Sequence, residues 1–574
     1  MNRRRRVPDH GFLIPFLVCC AVLLLSKPCK AAPDILLITI DTLRADRLGC
    51  YGDSEVLTSE IDALSRSSRL EIDASTDIPL TLPSHVSLFS GLPITQHAVQ
   101  DNGRIVPEHI PLLAEILRKN GYRTMAVISG FPLVRATGLN RGFDVYRDHL
   151  PAVVQGHRPE QIAEEAVAAA ECLIEKKRNP LFLWVHLYDP HAPYSAPPSY
   201  RAASRDDYRA EVMYTDRWTG RLIRSFRRRM GSDSPIVITG DHGEGLGDHG
   251  ESTHGVFLYQ ETIRIPVICA SMAADRLVSS PTTIHRIMHR ILGYAGVQAT
   301  PPPGKTDGML GMYTPYPFSR YRWAPESAVR RGALKFMDHP PELYDLEQDP
   351  GERHNLASRR ESECSDLRNR LRLVPPRPAA DHDGVDPETR RALESLGYII
   401  HPGASDESGS RKEARSLKDL LIPIELGLEK IRLGAWTDAE ALFRSLLSAD
   451  PDNPVITNNL GLALIQLNRP KEAGEFLRKA ARAVPDDVQI MNNLGIALIR
   501  DNRFKDAEEV LKKAVALDRS FAPAHLNLAG AQFALNRQED AGRELDEAIR
   551  LDPSLAATAT AEAIRKGIVR EATE

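Results

Sequence analysis

The feature that most constrains the fold is a period of 34 residues in the last third of the chain. The tetrapeptide at 458–461 is NNLG, and it returns at 492–495. Small residues and prolines keep the same phase, as in Ala439, Ala473, Ala507 and Ala541 and in Pro451, Pro485 and Pro553. Small side chains let two helices approach closely, and proline ends a helix because its nitrogen cannot donate a hydrogen bond. The period therefore predicts four stacked helical pairs over residues 420–555.

This repeat resembles the tetratricopeptide repeat (TPR) family, whose members are solenoids that hold an extended peptide in a concave groove. The resemblance implies an all-α solenoid with a protein or peptide partner in that groove. Asn458 and Asn492 lie one residue before the Asn-Leu-Gly of the consensus, where family members often point a side chain into the groove. They could equally be ordinary surface asparagines. We expect residues 556–574 to form a capping helix and tail.

A second pattern, earlier in the chain, consists of short apolar runs separated by helix-like stretches. The runs cover residues 35–40, 125–128, 181–185 and 236–239. Strands that alternate with helices predict an α/β fold with a mainly parallel sheet, and such sheets bind ligands at the carboxyl ends of their strands. Asp41, Asp189 and Asp241 each follow one of these runs. We therefore expect a single polar site that contains these aspartates.

Length and charge indicate several domains and exclude one class of partner. A chain of 574 residues is too long for one ordinary core. We place the α/β domain at 32–373, a Pro- and Ser-rich linker at 374–419 and the repeats at 420–555. The 73 basic and 77 acidic residues give a net charge of −4, so no nucleic-acid partner is expected.

Residues 1–31 have the pattern of a signal peptide. Arg3 to Arg6 precede 14 mostly apolar residues at 12–25, and residues 29–31 offer a small-x-small cleavage site. The apolar run is shorter than the roughly 20 residues that span a bilayer. We expect an extracytoplasmic protein, periplasmic or secreted, with membrane anchoring by this segment as the alternative. The cysteines that follow it have no CxxC spacing, and sequence cannot pair them.

The polar residues after the strands have the chemistry of a metal site. Asp41 follows the first run, and Asp241 and His242 follow the last, with Gly243 and Gly245 on either side of Glu244 after them. Together with Thr81 they supply oxygen and nitrogen donors for a divalent ion. A hydroxyl beside such an ion loses its proton more easily and becomes a usable nucleophile.

Four segments, at 38–46, 80–85, 189–194 and 240–244, occur in the order seen in sulfatases, and 342–356 is similar to the end of sulfatase domains. The chain from about 33 to 360 thus resembles this family of the alkaline phosphatase superfamily. The resemblance implies a three-layer α/β domain and an ester-cleaving enzyme. It also implies that Asp41, Asp241 and His242 bind metal, that Thr81 is the nucleophile, and that His191 contacts the substrate or protonates the leaving group.

Three departures from the sulfatase pattern favour phosphorus over sulfur. Thr81 replaces the Cys or Ser that sulfatases oxidise to formylglycine, and oxidation of a threonine would give a ketone, so no formylglycine is expected. His85 replaces the motif arginine, and Thr42 replaces the second of the paired aspartates. Related phosphodiesterases and phosphotransferases use a threonine nucleophile. We therefore expect phosphodiester or phosphonate ester cleavage, with His85 or His191 balancing charge on the phosphoryl oxygens.

A second metal position is a further expectation. His254, shortly after the Asp-His pair, could complete it with Asp189, helped by His191. The sequence therefore leaves the number of metal ions, one or two, open. Mixed Asp and His ligands suit Zn²⁺ or Mn²⁺ better than Ca²⁺ or Mg²⁺, which stay as alternatives.

Two alternatives to phosphoester cleavage remain at this point. The first is a sulfate ester hydrolase that uses Thr81 unmodified. The second is a TPR binding scaffold whose α/β domain is not catalytic. An arginine row at helical spacing predicts a solvated face, with a membrane surface or anionic glycan as the alternative partner; it contains Arg217, Arg221, Arg224 and Arg228.

Overall fold

The computed structural model describes residues 32–148, 162–176, 180–204, 206–270, 277–298, 309–372, 374, 389 and 411–571. The predicted signal peptide and most of the predicted linker lie outside these residues. No helix within the described part is long and apolar enough to cross a membrane.

The first domain is built on a mixed sheet. Its strands are β1 (Ile35–Ile40), β2 (Ser68–Ser75), β3 (Arg123–Val127), β4 (Val145–Arg147), β5 (Leu181–Leu187), β6 (Ile236–Gly240), β7 (Arg264–Ala270), β8 (Leu277–Val278) and β9 (Thr282–Thr283). Among the described residues their order is β4-β3-β5-β1-β6-β7-β2-β8, with β9 also on β2. The strands from β4 to β6 are parallel, and β7 is antiparallel to both its neighbours. This confirms the predicted α/β fold with a mainly parallel sheet.

Helices cover both faces of this sheet. They are α1 (Ser59–Ser65), α2 (Thr81–Ser90), α3 (Ile94–His97), α4 (Leu113–Lys119), α5 (Ala163–Glu175), α6 (Pro198–Ala203), α7 (Asp207–Met230), α8 (Gln260–Ile263) and α9 (Arg286–Tyr294). Apolar residues of α1, α5 and α7 pack on one face, and those of α2, α4 and α9 pack on the other. Because β1 lies between the two layers, all six of its residues are buried, which explains its continuous apolar run.

A second, antiparallel sheet follows, which the sequence patterns did not predict. Its strands are β10 (Met309–Thr314), β11 (Glu326–Arg331), β12 (Leu334–Met337) and β13 (Glu342–Asp345), in that order across the sheet. Helix α10 (Tyr316–Tyr321) connects β10 to β11, and α11 (Glu361–Leu371) packs on β11 and β12. Buried residues of this subdomain, among them Met312 and Trp323, share one hydrophobic cluster with residues of the α/β domain and of the repeats.

The repeats form helical pairs as predicted. The pairs are α12 (Leu421–Arg432) with α13 (Trp436–Leu446), α14 (Pro454–Gln466) with α15 (Pro470–Ala483), α16 (Val488–Arg500) with α17 (Phe504–Leu517), and α18 (Ala522–Ala534) with α19 (Gln538–Leu551). Helix α20 (Ala559–Glu571) packs on α18 and α19. The recurrent small residues lie where helices touch: a Cβ on Gly461 would lie 2.5 Å from the Leu477 side chain.

The repeats dock directly on the α/β domain. A 3₁₀ helix, Ala414–Leu420, precedes α12, and its Arg415 is buried with Nε and Nη1 each 3.0 Å from the carboxylates of Glu326 and Glu342. Trp323, 1% exposed, donates from Nε1 to the Asp450 carboxylate at 3.0 Å. The last residues of the predicted linker are therefore a packed segment in this structure.

The cysteines of the described residues are all free thiols. They are Cys50, Cys172, Cys269 and Cys364. The structure thus pairs none of these four cysteines with another.

Candidate active site

Three of the predicted ligands converge at the carboxyl edge of the parallel sheet. Asp41 follows β1 and Asp241 follows β6, and these strands are parallel neighbours with Ile40 opposite Gly240. Ligand atoms of Asp41, Asp241 and His242 all lie within 4.8 Å of one another, and the three side chains are fully buried. The adjacency follows directly from strand order, as the sequence pattern predicts.

Local backbone geometry fixes the Asp241 carboxylate. Thr42 has a φ of 51°, in the left-handed region, and its backbone N–H donates to Asp241 Oδ1 at 3.2 Å. The backbone N–H of His242 donates to the same oxygen at 2.8 Å. Oδ2 has no hydrogen-bond partner among the described residues. One oxygen is therefore held by the protein, and the other faces the cluster.

His242 presents a nitrogen lone pair to this cluster. Its Nδ1 lies 3.0 Å from the Gly243 carbonyl oxygen, which can only accept, so Nδ1 carries the proton. Nε2 of the neutral ring is then an acceptor, 3.6 Å from both Asp41 Oδ1 and Asp241 Oδ2. An imidazole oriented by its other nitrogen is the usual arrangement of a metal-binding histidine.

The charge balance of the cluster calls for a cation. Burial raises the pKa of Asp241, and the neighbouring Asp41 carboxylate raises it further because like charges repel more strongly away from water. A divalent ion would relieve both effects. The acceptor atoms gathered here therefore fit a metal ion.

Thr81 is the first residue of α2, and its hydroxyl is buried. Oγ1 has no hydrogen-bond partner within the part of the chain that the structure describes. Helix α2 is tied to the cluster through Ser84, whose hydroxyl donates to the Asp241 carbonyl at 2.6 Å. A buried hydroxyl without a partner is costly, so its position here points to a bound group.

His85 lies next to the cluster but is bonded within the protein. Its Nδ1 is 2.8 Å from the Thr81 carbonyl oxygen and 3.6 Å from Asp241 Oδ2, and its Nε2 is 3.0 Å from Thr39 Oγ1. Burial lowers its pKa to about 3, so the ring is neutral at neutral pH. Both nitrogens are thus engaged by protein groups, and the predicted contact with phosphoryl oxygens stays a prediction.

His186 is a site residue that the sequence patterns missed. It is the sixth residue of β5, fully buried, with Nδ1 3.0 Å from Thr39 Oγ1 and Nε2 3.5 Å from Asp41 Oδ2. Burial lowers its pKa to about 4. The available signal was a histidine within an otherwise apolar buried strand, where a polar side chain needs a partner.

His254 and His191 lie on the other side of His242. The His254 ring centroid is 4.4 Å from that of His242 and 5.2 Å from that of His191. His254 Nδ1 is 3.1 Å from Glu244 Oε1, and His191 Nδ1 is 2.8 Å from the Tyr188 hydroxyl. Both predicted histidines are therefore near the cluster, and Glu244 is a further neighbour that orients one of them.

Asp189 has a different place. Its Oδ2 accepts the backbone N–H of Ala163, the first residue of α5, at 2.7 Å. Burial raises its pKa to about 6. Among the described residues neither Asp189 nor His254 belongs to the group of mutually close ligand atoms. The second metal position stays a prediction.

Gly243 and Gly245, after His242, are required because a side chain would not fit at either position. A Cβ on Gly243 would lie 2.0 Å from the Glu261 carbonyl oxygen, and one on Gly245 would lie 2.2 Å from the Glu251 carbonyl oxygen. Neither glycine has a positive φ. They allow close approach of backbone rather than a special turn: Gly243 lets the loop after β6 approach α8, and Gly245 lets it approach its own residues Glu251 and Thr253.

Two groups of side chains outside this site concern the predicted partners: the asparagines of the repeats and the arginine row. Asn493 donates to Asn458 at 3.0 Å and Asn527 donates to Asn492 at 2.8 Å, so amides bridge successive repeats. In the arginine row, Arg221 bonds Glu171 and Arg224 bonds Glu60. Half of that row is thus ion-paired.

Comparison with known proteins agrees with this geometry. Residues 33–297 match the sulfatase family model, and residues 424–488 and 492–556 match the tetratricopeptide repeat. Delta 4,5-hexuronate-2-O-sulfatase of Bacteroides thetaiotaomicron is 23% identical over 421 residues, covering 57% of this chain and 84% of the relative. Choline-sulfatase of Rhizobium meliloti is 25% identical over 423 residues, covering 57% and 82%.

Solved structures share the fold. Phosphonate monoester hydrolase of Agrobacterium radiobacter aligns with a TM-score of 0.50 at 18% identity, over 60% of this chain and 95% of its own. Ps i-CgsB bound to k-i-k-neocarrahexaose aligns with a TM-score of 0.51 at 18% identity, over 64% and 98%. By the match of its family model, the domain at residues 33–297 is that of a sulfatase-like hydrolase of the alkaline phosphatase superfamily, and TPR repeats follow it.

Proposed function

We propose that this chain is a divalent-metal-dependent enzyme that cleaves phosphoesters, with the Thr81 hydroxyl as its nucleophile. The observation that carries the proposal is the buried Thr81 Oγ1, which has no hydrogen-bond partner among the described residues and begins a helix tied to Asp241. Threonine cannot form formylglycine, so the hydroxyl itself has to act.

Asp41, Asp241 and His242 would hold the ion. Their facing atoms are acceptors, buried and mutually close, as a cation requires. Carboxylate oxygens with an imidazole nitrogen favour Zn²⁺ or Mn²⁺ over Ca²⁺ and Mg²⁺. When bound, such an ion lowers the pKa of a neighbouring hydroxyl and balances negative charge.

In the first step the Thr81 hydroxyl would lose its proton to solvent, Oγ1 would form a bond to phosphorus, and the bond from phosphorus to the ester oxygen would break. The leaving oxygen takes a proton, for which Nε2 of protonated His191 is the candidate, because Nδ1 is held beside the Tyr188 hydroxyl and the Ala192 carbonyl. In the second step the oxygen of water or of an acceptor alcohol would form the bond to phosphorus and give up its proton, while the bond from phosphorus to Oγ1 breaks and Thr81 regains a proton.

His85 and His254 would position the reacting groups. His85 bonds the Thr81 carbonyl and Thr39, so it sets the start of α2. Glu244 fixes the His254 ring beside His242. A second ion on His254 and Asp189 would require Asp189 to give up its hydrogen bond to Ala163, so one ion is the simpler arrangement.

Sulfate ester hydrolysis is the alternative, favoured by the names of the similar sulfatases. The departures at Thr81 and His85 count against it. We further propose that the protein acts outside the cytoplasm and that the TPR groove, with its bridged Asn458 and Asn492, binds a protein or peptide.

Purified protein, assayed for metal content and against nitrophenyl phosphodiester, phosphonate monoester and sulfate ester, tests the proposal. We expect bound divalent metal, turnover of a phosphorus ester, and its loss on chelation with recovery on adding Zn²⁺ or Mn²⁺. Faster turnover of the sulfate ester would support the sulfatase alternative. Metal-free protein that stays inactive after metal is added would support the scaffold.

A further inference from the structure

We propose that His186 is an additional metal ligand, binding through Nε2. The inference deepens the proposed function, because it depends on the metal site formed by Asp41, Asp241 and His242. It concerns a residue that neither the motif pattern nor the comparisons point to.

The first step is the proton on His85. Its Nδ1 lies 2.8 Å from the Thr81 carbonyl oxygen, which only accepts, so Nδ1 carries the hydrogen. In the neutral ring Nε2 is then an acceptor. Nε2 is 3.0 Å from Thr39 Oγ1, so the Thr39 hydroxyl must donate to it.

The second step is Thr39. Its hydroxyl has one hydrogen, which is used on His85, so every other partner of Oγ1 must donate. Trp184 Nε1 does so at 2.9 Å. His186 Nδ1, at 3.0 Å, must therefore also carry a hydrogen.

The third step is the consequence for His186. With the hydrogen on Nδ1, Nε2 of the neutral ring exposes its lone pair. That atom is buried, has no hydrogen-bond partner among the described residues, and lies 3.5 Å from the Asp41 carboxylate. Two acceptors that face each other in a dry site repel unless a cation lies between them.

Two further observations agree with this assignment: the glycine beside the His186 ring and the loss of a carboxylate at position 42. Gly130 lies against the ring, and a Cβ there would be 3.0 Å from His186 Nε2. Thr42 replaces a carboxylate of the sulfatase pattern, and its hydroxyl donates to the Pro190 carbonyl at 2.6 Å. His186, like His254, lies outside the group of three mutually close ligand residues; it approaches that group from the Asp41 side and would supply the donor that Thr42 does not.

The test is pulsed electron paramagnetic resonance on the full protein loaded with Mn²⁺, which counts imidazole nitrogens bound to the ion. We expect two histidine ligands in the wild type and one in His186→Gln, with Mn²⁺ affinity lowered at least about tenfold. His97→Gln is the matched control, since His97 is also buried but bonded to Ser87. It should keep two ligands and the wild-type affinity.

One bound imidazole in the wild type, or an unchanged spectrum in His186→Gln, would overturn the assignment while leaving the metal site intact. A wild type that binds no Mn²⁺ or Zn²⁺ would instead overturn the metal site and the proposed function with it. The number of imidazole ligands in the wild-type protein tests the assignment even if the His186→Gln variant does not fold. Gly130→Ala, which crowds Nε2, should also weaken binding.

Discussion

At the scale of single residues, burial decides which protonation states this domain tolerates. His97 is 2% exposed; it accepts the Val99 backbone N–H at Nδ1 and bonds Ser87 through Nε2. Burial lowers its pKa to about 3, so the folded protein keeps it neutral where the unfolded chain would protonate it. Its contribution to stability is therefore complete above the unfolded pKa and is lost as the pH falls.

We predict that His97→Gln reduces the acid sensitivity of the α/β domain. Between pH 6.5 and about 3 the unfolded chain binds one more proton at this position, which costs at most about 1.4 kcal/mol per pH unit. Thermal unfolding measured at several pH values between 4 and 7.5 should show that the unfolding free energy falls less steeply with decreasing pH in the variant than in the wild type. Equal slopes in the two proteins would contradict the assignment.

The proximity of Asp41 and Asp241 was predictable from the ends of two strands. Asp41 and Asp241 follow neighbouring parallel strands, and the polar residue after each apolar run was visible in the sequence. The position of His186 at the site was not visible in the sequence. Its hydrogen-bond partner Thr39 is 147 positions away, and the two residues meet because β1 and β5 are neighbouring strands. Long-range hydrogen bonds of this kind leave no local pattern.

At the scale of secondary-structure elements, the loop after β6 is shaped by contact with α8. The Gly243 and Glu244 backbone N–H groups donate to the Thr262 and Glu261 carbonyls at 2.8 and 3.0 Å. These bonds hold the loop that carries Asp241 and His242 against α8. Arg44 fixes the other side of the loop by donating to the Glu244 carbonyl at 3.1 Å.

We predict that Gly243→Ala lowers both metal affinity and stability, because the new Cβ would meet the Glu261 carbonyl at 2.0 Å and push the loop away. The expected loss of stability is about 1–3 kcal/mol. Gly293→Ala is the control: it lies in α9 with nothing within 4 Å, and should be neutral or stabilising. Calorimetry and metal titration of both variants would measure this, and wild-type behaviour of Gly243→Ala would refute it.

Elements with strong periodicity were predictable, and short ones were not. The four apolar strands and the 34-residue helical repeat have patterns set by burial on two faces or by helix pairing. Strands β10 to β13 are four to six residues long and, among the described residues, pair with one another in a sheet of their own. In β10 buried and partly exposed residues alternate, and β11 contains the buried charged residues Glu326 and Arg330, so neither strand has a continuous apolar run.

At the scale of the whole molecule, the repeats and the enzyme domain share a packed interface. The segment after α10 contributes Trp323 to Asp450 and Arg322 to Asp487, while Asn453 donates to the Tyr321 carbonyl. The contacts join two successive loops of the solenoid, which contain Asp450 with Asn453 and Asp487, to one turn of the α/β domain. The repeats thus contact the α/β domain through hydrogen bonds and an ion pair.

We predict that Trp323→Ala loosens this docking, since it removes a large buried side chain and its bond to Asp450. We expect the free energy of unfolding to fall by about 3–5 kcal/mol. Small-angle scattering should give a larger radius of gyration for the variant. Trp436→Ala, in α13, is half-buried and away from these contacts and should leave the radius unchanged; an unchanged radius in Trp323→Ala would contradict the docking.

The most direct test of the proposed chemistry is acid-quenched mass spectrometry of the metal-loaded protein during turnover of a phosphorus ester. We expect a phosphoryl adduct on the peptide that contains Thr81, no adduct in Thr81→Ala, and a fall in turnover of at least about a thousandfold in that variant. Thr81→Ser, which keeps the hydroxyl, should retain adduct and activity. Full turnover by Thr81→Ala, with no adduct on the wild type, would remove Thr81 as the nucleophile.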